Sequence, residues 1–143
     1  MTGQLLIDNS AWSRLGSRSL PQDRAEEVAD WARHDKLVVC LPFLLEAGYS
    51  ARSGADHVAR LDELRAMPDV GIDGLTENFA LDAQRELARR GHHRMSPADI
   101  VIAALAARAG LGVLHYDSDF DVILEHTTLR FESTWLAPRG SMP

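Results

Sequence analysis

The stretch Ser96-Pro97-Ala98-Asp99-Ile100-Val101-Ile102-Ala103-Ala104-Leu105-Ala106-Ala107-Arg108-Ala109-Gly110, running on through Leu111-Gly112-Val113-Leu114-His115-Tyr116-Asp117, decides how this chain folds. Ser96 is a good helix N-cap and Pro97 suits the first helical position, so the spacing predicts a helix from here to about Ala109. Gly110 stands where helices commonly end on a left-handed residue. The helix is apolar nearly all round, which places it in the middle of a domain. Gly112 to Tyr116 is then an apolar run of strand length that stops at a carboxylate, Asp117.

Outward from this core, Gln4-Leu5-Leu6-Ile7-Asp8 reads as another short buried strand ending in an acid, followed by a brief helix over Asn9–Trp12. Helices are expected over Pro21–His34, Phe43–Arg52 (opened by Pro42) and Ala55–Met67, with a strand at Leu37–Leu41 between the first two. Val70–Ile72 is a weak, short strand, and Thr76 caps a helix that runs to Arg90 and stops at Gly91. Phe120–Glu125 makes a short helix. Leu129–Trp135 alternates apolar and polar residues as a half-exposed edge strand does. Apolar strands alternating with helices predict an α/β fold with a parallel sheet covered on both faces. In such sheets ligands sit beyond the carboxyl ends of the strands. A domain over residues 1–136 and a loose tail over 137–143 complete the expected organisation.

The chain has 143 residues, about one domain's worth. Its 45% hydrophobic and 25% charged residues rule out disordered, collagen-like and repeat compositions. No apolar run approaches the roughly 20 residues of a membrane span. Met1-Thr2-Gly3-Gln4 lacks the basic start and apolar stretch of an export signal, so a cytoplasmic protein without membrane association is expected. Cys40 is the only cysteine, which excludes an intrachain disulfide and a cysteine zinc cluster. With 15 Lys+Arg against 21 Asp+Glu the formal charge is -6. That balance argues against binding nucleic acid through bulk positive charge, though not against meeting phosphates through metal ions.

The informative residues are acids in apolar surroundings. Asp8 and Asp117 both close apolar strands at the ligand-binding edge, although either also suits the N-cap of the helix that follows. Glu46 is the only charge between Leu41 and Ala51, so it is either half-buried or part of an exposed stripe. Asp99 is the only charge between Met95 and Ala107. It falls at the third helical position, where it can complete a capping box with Ser96 or point into a neighbouring cavity. Asp117-Ser118-Asp119-Phe120-Asp121 alternates three acids. A calcium EF-hand loop fails here, because Val122 stands where glycine is needed and Thr128 where glutamate is needed. Asp117 and Asp119 are expected to reach into the site while Asp121 faces solvent.

Two unit charges about 4 Å apart repel by about 4 kcal/mol at an effective dielectric of 20, against a whole-domain stability of about 5–15 kcal/mol. Four or five gathered carboxylates therefore need protons or cations. Lys36, the only lysine, is remote from them in sequence. Oxygen ligands without cysteine favour Mg²⁺ or Mn²⁺, which activate water and hold phosphate oxygens.

Leu6-Ile7-Asp8-Asn9-Ser10-Ala11-Trp12, the Leu-Pro-x-x-x-Glu segment from Leu41 to Glu46, Ser96-Pro97-Ala98-Asp99, and Leu114-His115-Tyr116-Asp117-Ser118-Asp119-Phe120 occur in one order. In that order the chain resembles the PIN-domain ribonucleases, and among them the VapC toxins of bacterial toxin–antitoxin pairs. The resemblance covers essentially the whole chain, including Trp135-Leu136-Ala137-Pro138-Arg139-Gly140-Ser141. It implies a metal-dependent endoribonuclease, an αβα sandwich with a mostly parallel sheet of four to five strands, and a homodimer. It also implies a VapB-type antitoxin that wraps the toxin and blocks the site, often with an arginine. Carried over by position, Asp8, Glu46, Asp99 and Asp117 match the family's acidic quartet, which acts in catalysis and metal binding. Asp119 shares or takes the fourth role, and Ser10 matches a hydroxyl beside the first acid.

For the RNA substrate, Arg89-Arg90-Gly91-His92-His93-Arg94 is the one locally basic stretch, and Arg94 leads from it into Ser96 and Asp99. The same stretch also suits an ordinary helix C-terminus. Arg14 and Arg52 follow Asp8 and Glu46 by six residues each and are lesser candidates, and Arg14 is counted for the substrate beside Ser10. His115 and the three tryptophans read as packing residues. Two rivals remain. An aspartate-based phosphoryl-transfer domain wants a second Asp two residues after Asp8, where Ser10 stands, and a late lysine that the chain lacks. A non-catalytic PIN-fold binding protein is the other.

Overall fold

In the computed structural model, which describes residues 3–143, the chain runs β1 (Leu5–Ile7), α1 (Asn9–Trp12), α2 (Gln22–Arg33), β2 (Leu37–Val38), α3 (Leu41–Tyr49), α4 (Gly54–Leu64), α5 (Gly74–Arg89), α6 (Pro97–Ala109), β3 (Gly112–His115), α7 (Asp119–His126) and β4 (Ser133–Trp135). Met1 and Thr2, part of the segment read for an export signal and of the expected domain, lie outside the described residues. The strands form one sheet in the order β2-β1-β3-β4, and every neighbouring pair is parallel. The α/β expectation holds, with four strands.

The strand order places the site. From β1 the chain crosses to β2 on one side, then returns past β1 to β3 on the other. Connections thus leave β1 and β3 in opposite directions, and a crevice opens beyond their carboxyl ends. Ile7 pairs with Leu114, so the residues after both strands emerge side by side.

α6 is the central helix its composition foretells. Ile100, Ile102, Ala103, Ala104, Leu105 and Ala106 are all buried, and α6 packs on α5, α3, α7, β1 and β3. Truncating a buried isoleucine of this kind to alanine costs about 2–5 kcal/mol. The Ser96 Oγ accepts the Asp99 N–H at 3.4 Å, and Gly110 ends the helix at φ 71°. Two residues on, Gly112 lets three strands approach: a Cβ there meets Leu5 Cδ2 at 2.5 Å and the Glu132 carbonyl oxygen at 3.0 Å.

Four local expectations are corrected. The strand over Val70–Ile72 reduces to one parallel bridge between Val39 and Asp69, and the Gly71 carbonyl is taken instead by Arg108 Nη2 at 3.2 Å. Thr76 lies inside α5. The cap is Asp73, whose Oδ1 accepts the Thr76 N–H at 2.9 Å and its hydroxyl at 2.7 Å. The edge strand begins only at Ser133, because Leu129 N–H is drawn back to Thr127 Oγ1 at 3.2 Å. The segment after Ala137 is not loose. Met142 is buried, its N–H donates to the Tyr116 hydroxyl at 2.7 Å, and Arg14 Nε donates to the Pro143 carbonyl at 3.0 Å.

Candidate metal centre

Asp8 is the first residue beyond β1, and its N–H donates to the Leu114 carbonyl at 3.0 Å, tying it to the end of β3. It caps α1 as well as facing the crevice. Oδ2 accepts both the N–H and the hydroxyl of Ser10, at 3.0 and 2.6 Å, while Oδ1 has no hydrogen-bond partner among the described residues. Ser10 Oγ in turn accepts the Tyr116 N–H at 2.9 Å. One hydroxyl therefore stitches the exit of β1 to the exit of β3.

Asp117 lies two residues beyond β3, and its Oδ1 accepts the Asp119 N–H at 2.9 Å, closing the turn into α7. Asp99, on the first turn of α6, is buried. The hydrogen bonds of the described residues include no return bond from its carboxylate to the Ser96 N–H, so the cap is one-sided. Its carboxylate faces elsewhere: one oxygen each of Asp99, Asp117 and Asp119 lie within 4.8 Å of one another. Glu46 is half-buried on α3, which packs against α6.

The five acids feel one another. Burial pushes Asp99 up to about 8, with the charges of Asp8, Asp117, Asp119 and Glu46 adding to it. Burial also raises Asp8, against the hydrogen bonds from Ser10, and Asp117 raises it further. Glu46 is raised by burial and by Asp8. Asp119 is raised by burial and Asp117, and held back by a hydrogen bond with Asp99. Among the described residues no arginine, lysine or histidine forms an ion pair with any of the five. Cys40 is buried nearby, and its thiol is pushed up to about 11, mainly by burial. It remains protonated and offers no thiolate.

This donor set fits a hard divalent cation: carboxylate oxygens, crowded by like charge, with no internal counter-ion among the described residues. Asp99, Asp117 and Asp119 form the tight group that could hold it, and Asp8 and Glu46 complete the negative field.

Of the residues expected to meet substrate, two are engaged within the fold. Ser10 makes the stitch described above. Arg14 Nη1 donates to the Ser10 carbonyl at 2.8 Å, Nε holds Pro143, and the guanidinium lies 4.8 Å from the centre of the Tyr116 ring. Arg94 is exposed, without a hydrogen bond or ion pair among the described residues. A cavity of about 710 Å³ begins beside Asp8 at Asn9 and passes Ser13, Ser50, Arg52 and Arg60, and none of the five acids lines it.

Two residues near the site make hydrogen bonds that their sequence readings, packing for His115 and solvent exposure for Asp121, do not include. His115 is fully buried at the end of β3 and pushed down to about 4, chiefly by burial, so its ring is neutral. Asp121, expected to face solvent, is exposed yet bonded to Ser133 Oγ at 2.6 Å and Trp135 Nε1 at 2.8 Å. Local spacing gives no sign of this, because the contacts join α7 to β4 and β4 to β3.

Comparison with known proteins places the geometry in context. The family model described as PIN domain matches residues 5–124. Ribonuclease VapC18 of Mycobacterium tuberculosis is 34% identical over 142 residues, covering 95% of this chain and 97% of that protein. Ribonuclease VapC51 of the same organism is 36% identical over 142 residues, covering 99% of each. Among solved structures, DNA-bound VapBC from Salmonella typhimurium matches with a TM-score of 0.72 at 18% identity, over 94% of this chain and 99% of that one.

Proposed function

Because this chain belongs to the PIN-domain family and is a VapC-type toxin ribonuclease, we propose that its five converging acids hold Mg²⁺ or Mn²⁺ and hydrolyse RNA phosphodiesters. PIN ribonucleases are metal-dependent, and a bound divalent ion supplies a water of lowered pKa and a clamp on phosphate oxygens.

The residues divide the work. Asp99, Asp117 and Asp119 hold the cation as the tight group. Asp8 and Glu46 flank it, with the free Oδ1 of Asp8 placed to orient a water or a further cation. Asp99, raised to about 8 mainly by burial, would give up its proton to solvent on holding a cation. Ser10 fixes the Asp8 carboxylate, and Arg14 keeps the wall beside it rigid through Tyr116 and the tail. Arg94, exposed at the approach to Ser96, meets the RNA phosphates. The chain acts in the cytoplasm, where a VapB-type antitoxin covers the site. A homodimer buries part of the exposed apolar surface, which includes Leu41, Leu45 and Tyr49 on α3.

One observation supports this reading above the others: five acids share one crevice, and no basic side chain among the described residues pairs with them. Purified antitoxin-free protein, incubated with single-stranded RNA, is expected to cut it with Mg²⁺ or Mn²⁺ and to stop on addition of EDTA. Cleavage that survives chelation, or that survives Asp8→Asn, contradicts the assignment. Induction in bacteria without an antitoxin is expected to arrest growth, and mapping the RNA ends that appear identifies the target.

A further inference from the structure

His115 is buried beneath the acid turn, and both ring nitrogens are in use. Nδ1 accepts the backbone N–H of Asp117 at 3.1 Å, and Nε2 lies 2.7 Å from Ser133 Oγ. A ring nitrogen that accepts from an N–H carries no proton, so the ring proton is on Nε2 and is donated to Ser133. The Ser133 hydroxyl donates its own hydrogen bond to Asp121 Oδ1 at 2.6 Å, and Asp121 Oδ2 accepts Trp135 Nε1–H at 2.8 Å. Every donor in this chain meets an acceptor. The Phe120 and Trp135 rings, each centred 4.9 Å from the imidazole, prevent it from turning over. Asp121 lies outside the acid cluster, so the line runs from a peripheral carboxylate on α7, through the edge strand, to the backbone of Asp117.

We propose that His115, locked in its Nε2–H tautomer by Ser133 and Asp121, is a positioning residue that sets the Asp117-Ser118-Asp119 turn for cation binding. The inference rests on the metal-dependent reading above. The Asp117 N–H would otherwise be free to swing, and with it Oδ1, which holds the Asp119 N–H. Partners that orient metal ligands in this indirect way are typically worth about 10–100-fold in metal affinity. The arrangement distinguishes the two ring nitrogens: Nδ1 does the positioning, and Nε2 fixes the tautomer that makes Nδ1 an acceptor.

The test is Mn²⁺ binding to the full chain, measured by calorimetry in the absence of RNA, together with kcat and KM for RNA cleavage. His115→Phe keeps an aromatic ring between Phe120 and Trp135 but removes both hydrogen bonds. It is expected to weaken Mn²⁺ binding about tenfold or more and to lower kcat, with KM for RNA unchanged. His115→Asn returns an oxygen at the position of Nδ1 and is expected to recover most of the affinity. Ser133→Ala, a smaller change with little risk to folding, is expected to weaken Mn²⁺ binding several-fold. Mn²⁺ affinity within twofold of the parent in His115→Phe, or in Ser133→Ala should the phenylalanine variant not fold, overturns the proposal. An asparagine variant as weak as the phenylalanine one also overturns it, since packing rather than the acceptor would then be at work. A parent protein that binds no Mn²⁺ at all overturns the functional reading itself, a separate result from a parent that binds and variants that bind equally well.

Discussion

Two aspartates open adjacent helices in this molecule and meet opposite fates. Asp73, the N-cap of α5, is exposed and paired through one oxygen: Oδ1 accepts the Thr76 N–H and hydroxyl, and Arg108 Nε lies 3.3 Å from it. The Thr76 bonds, and then Arg108, hold its carboxyl below the usual range. Asp99, in the first turn of α6, is buried with no basic partner among the described residues and is pushed up to about 8, mainly by burial. The residue type is the same and both stand at a helix N-terminus, Asp73 as the N-cap and Asp99 in the first turn. The difference lies in what the neighbouring elements bring. A capped, paired acid stabilises its helix. An acid surrounded by other acids opposes folding until a proton or a metal joins it, and such a cost is retained where the charge has a task.

The sharpest way to break this comparison is to neutralise each acid in turn. Asp99→Asn is expected to lower RNA cleavage by about 10³-fold, equivalent to roughly 4 kcal/mol of barrier stabilisation. In the metal-free protein the same change is expected to stabilise the fold by about 1–3 kcal/mol, raising Tm by roughly 3–9 °C, because asparagine is neutral in the unfolded chain as well and removes the cost of protonating Asp99 on folding. Activity assays and thermal melts on one preparation check both. A variant that loses activity and stability together restores the capping interpretation of Asp99.

Metal should reverse the penalty. Mn²⁺ at about 100 times its dissociation constant is expected to add about 2.7 kcal/mol to the stability of the parent protein. Little of that gain should remain in Asp99→Asn. Melts with and without the ion decide the point.

The pH dependence separates the two aspartates by sign. Asp99 keeps its proton in the folded state up to about 8, whereas the unfolded chain releases it near the ordinary carboxyl value of 3.8. The metal-free fold therefore loses stability as pH rises from about 4 to about 8, and Asp99→Asn should flatten that slope. Asp73 runs the other way. Its folded-state carboxyl is held low, so its contribution is present above its ordinary range and fades as pH falls through the lowered value. Urea titrations across this window, on the parent and Asp99→Asn, read the slopes directly.

The smallest effect belongs to Asp73→Ala, which should lower Tm by roughly 2–5 °C through loss of the α5 cap and leave RNA cleavage unchanged. A loss of cleavage would mean that α5 positions the site more than its packing on α6 implies.

The contrast also marks what the sequence could reveal. α6 was legible because its signals are local: Ser96, Pro97 and Gly110 lie within a turn of the ends they specify. Asp8 and Asp117 were legible because a parallel sheet brings the carboxyl ends of its strands to one edge. Asp73 was missed in favour of Thr76 because both residues carry capping oxygens. The backbone alone decides which of them stands outside the helix. The bonds from Tyr116 to Met142 and from Arg14 to Pro143 join segments far apart in the chain, and so does the line from His115 through Ser133 to Asp121. Such contacts are set by strand order and leave no trace in local spacing.

The most direct test of the convergent acid site is a calorimetric titration of Mn²⁺ into the metal-free protein at pH 7, run in two buffers of different ionisation enthalpy. Cation binding should release close to one proton per chain, about the fraction Asp99 holds at that pH, and Asp99→Asn should release almost none. Absence of binding, or binding that leaves the proton count at zero in the parent protein, would contradict it.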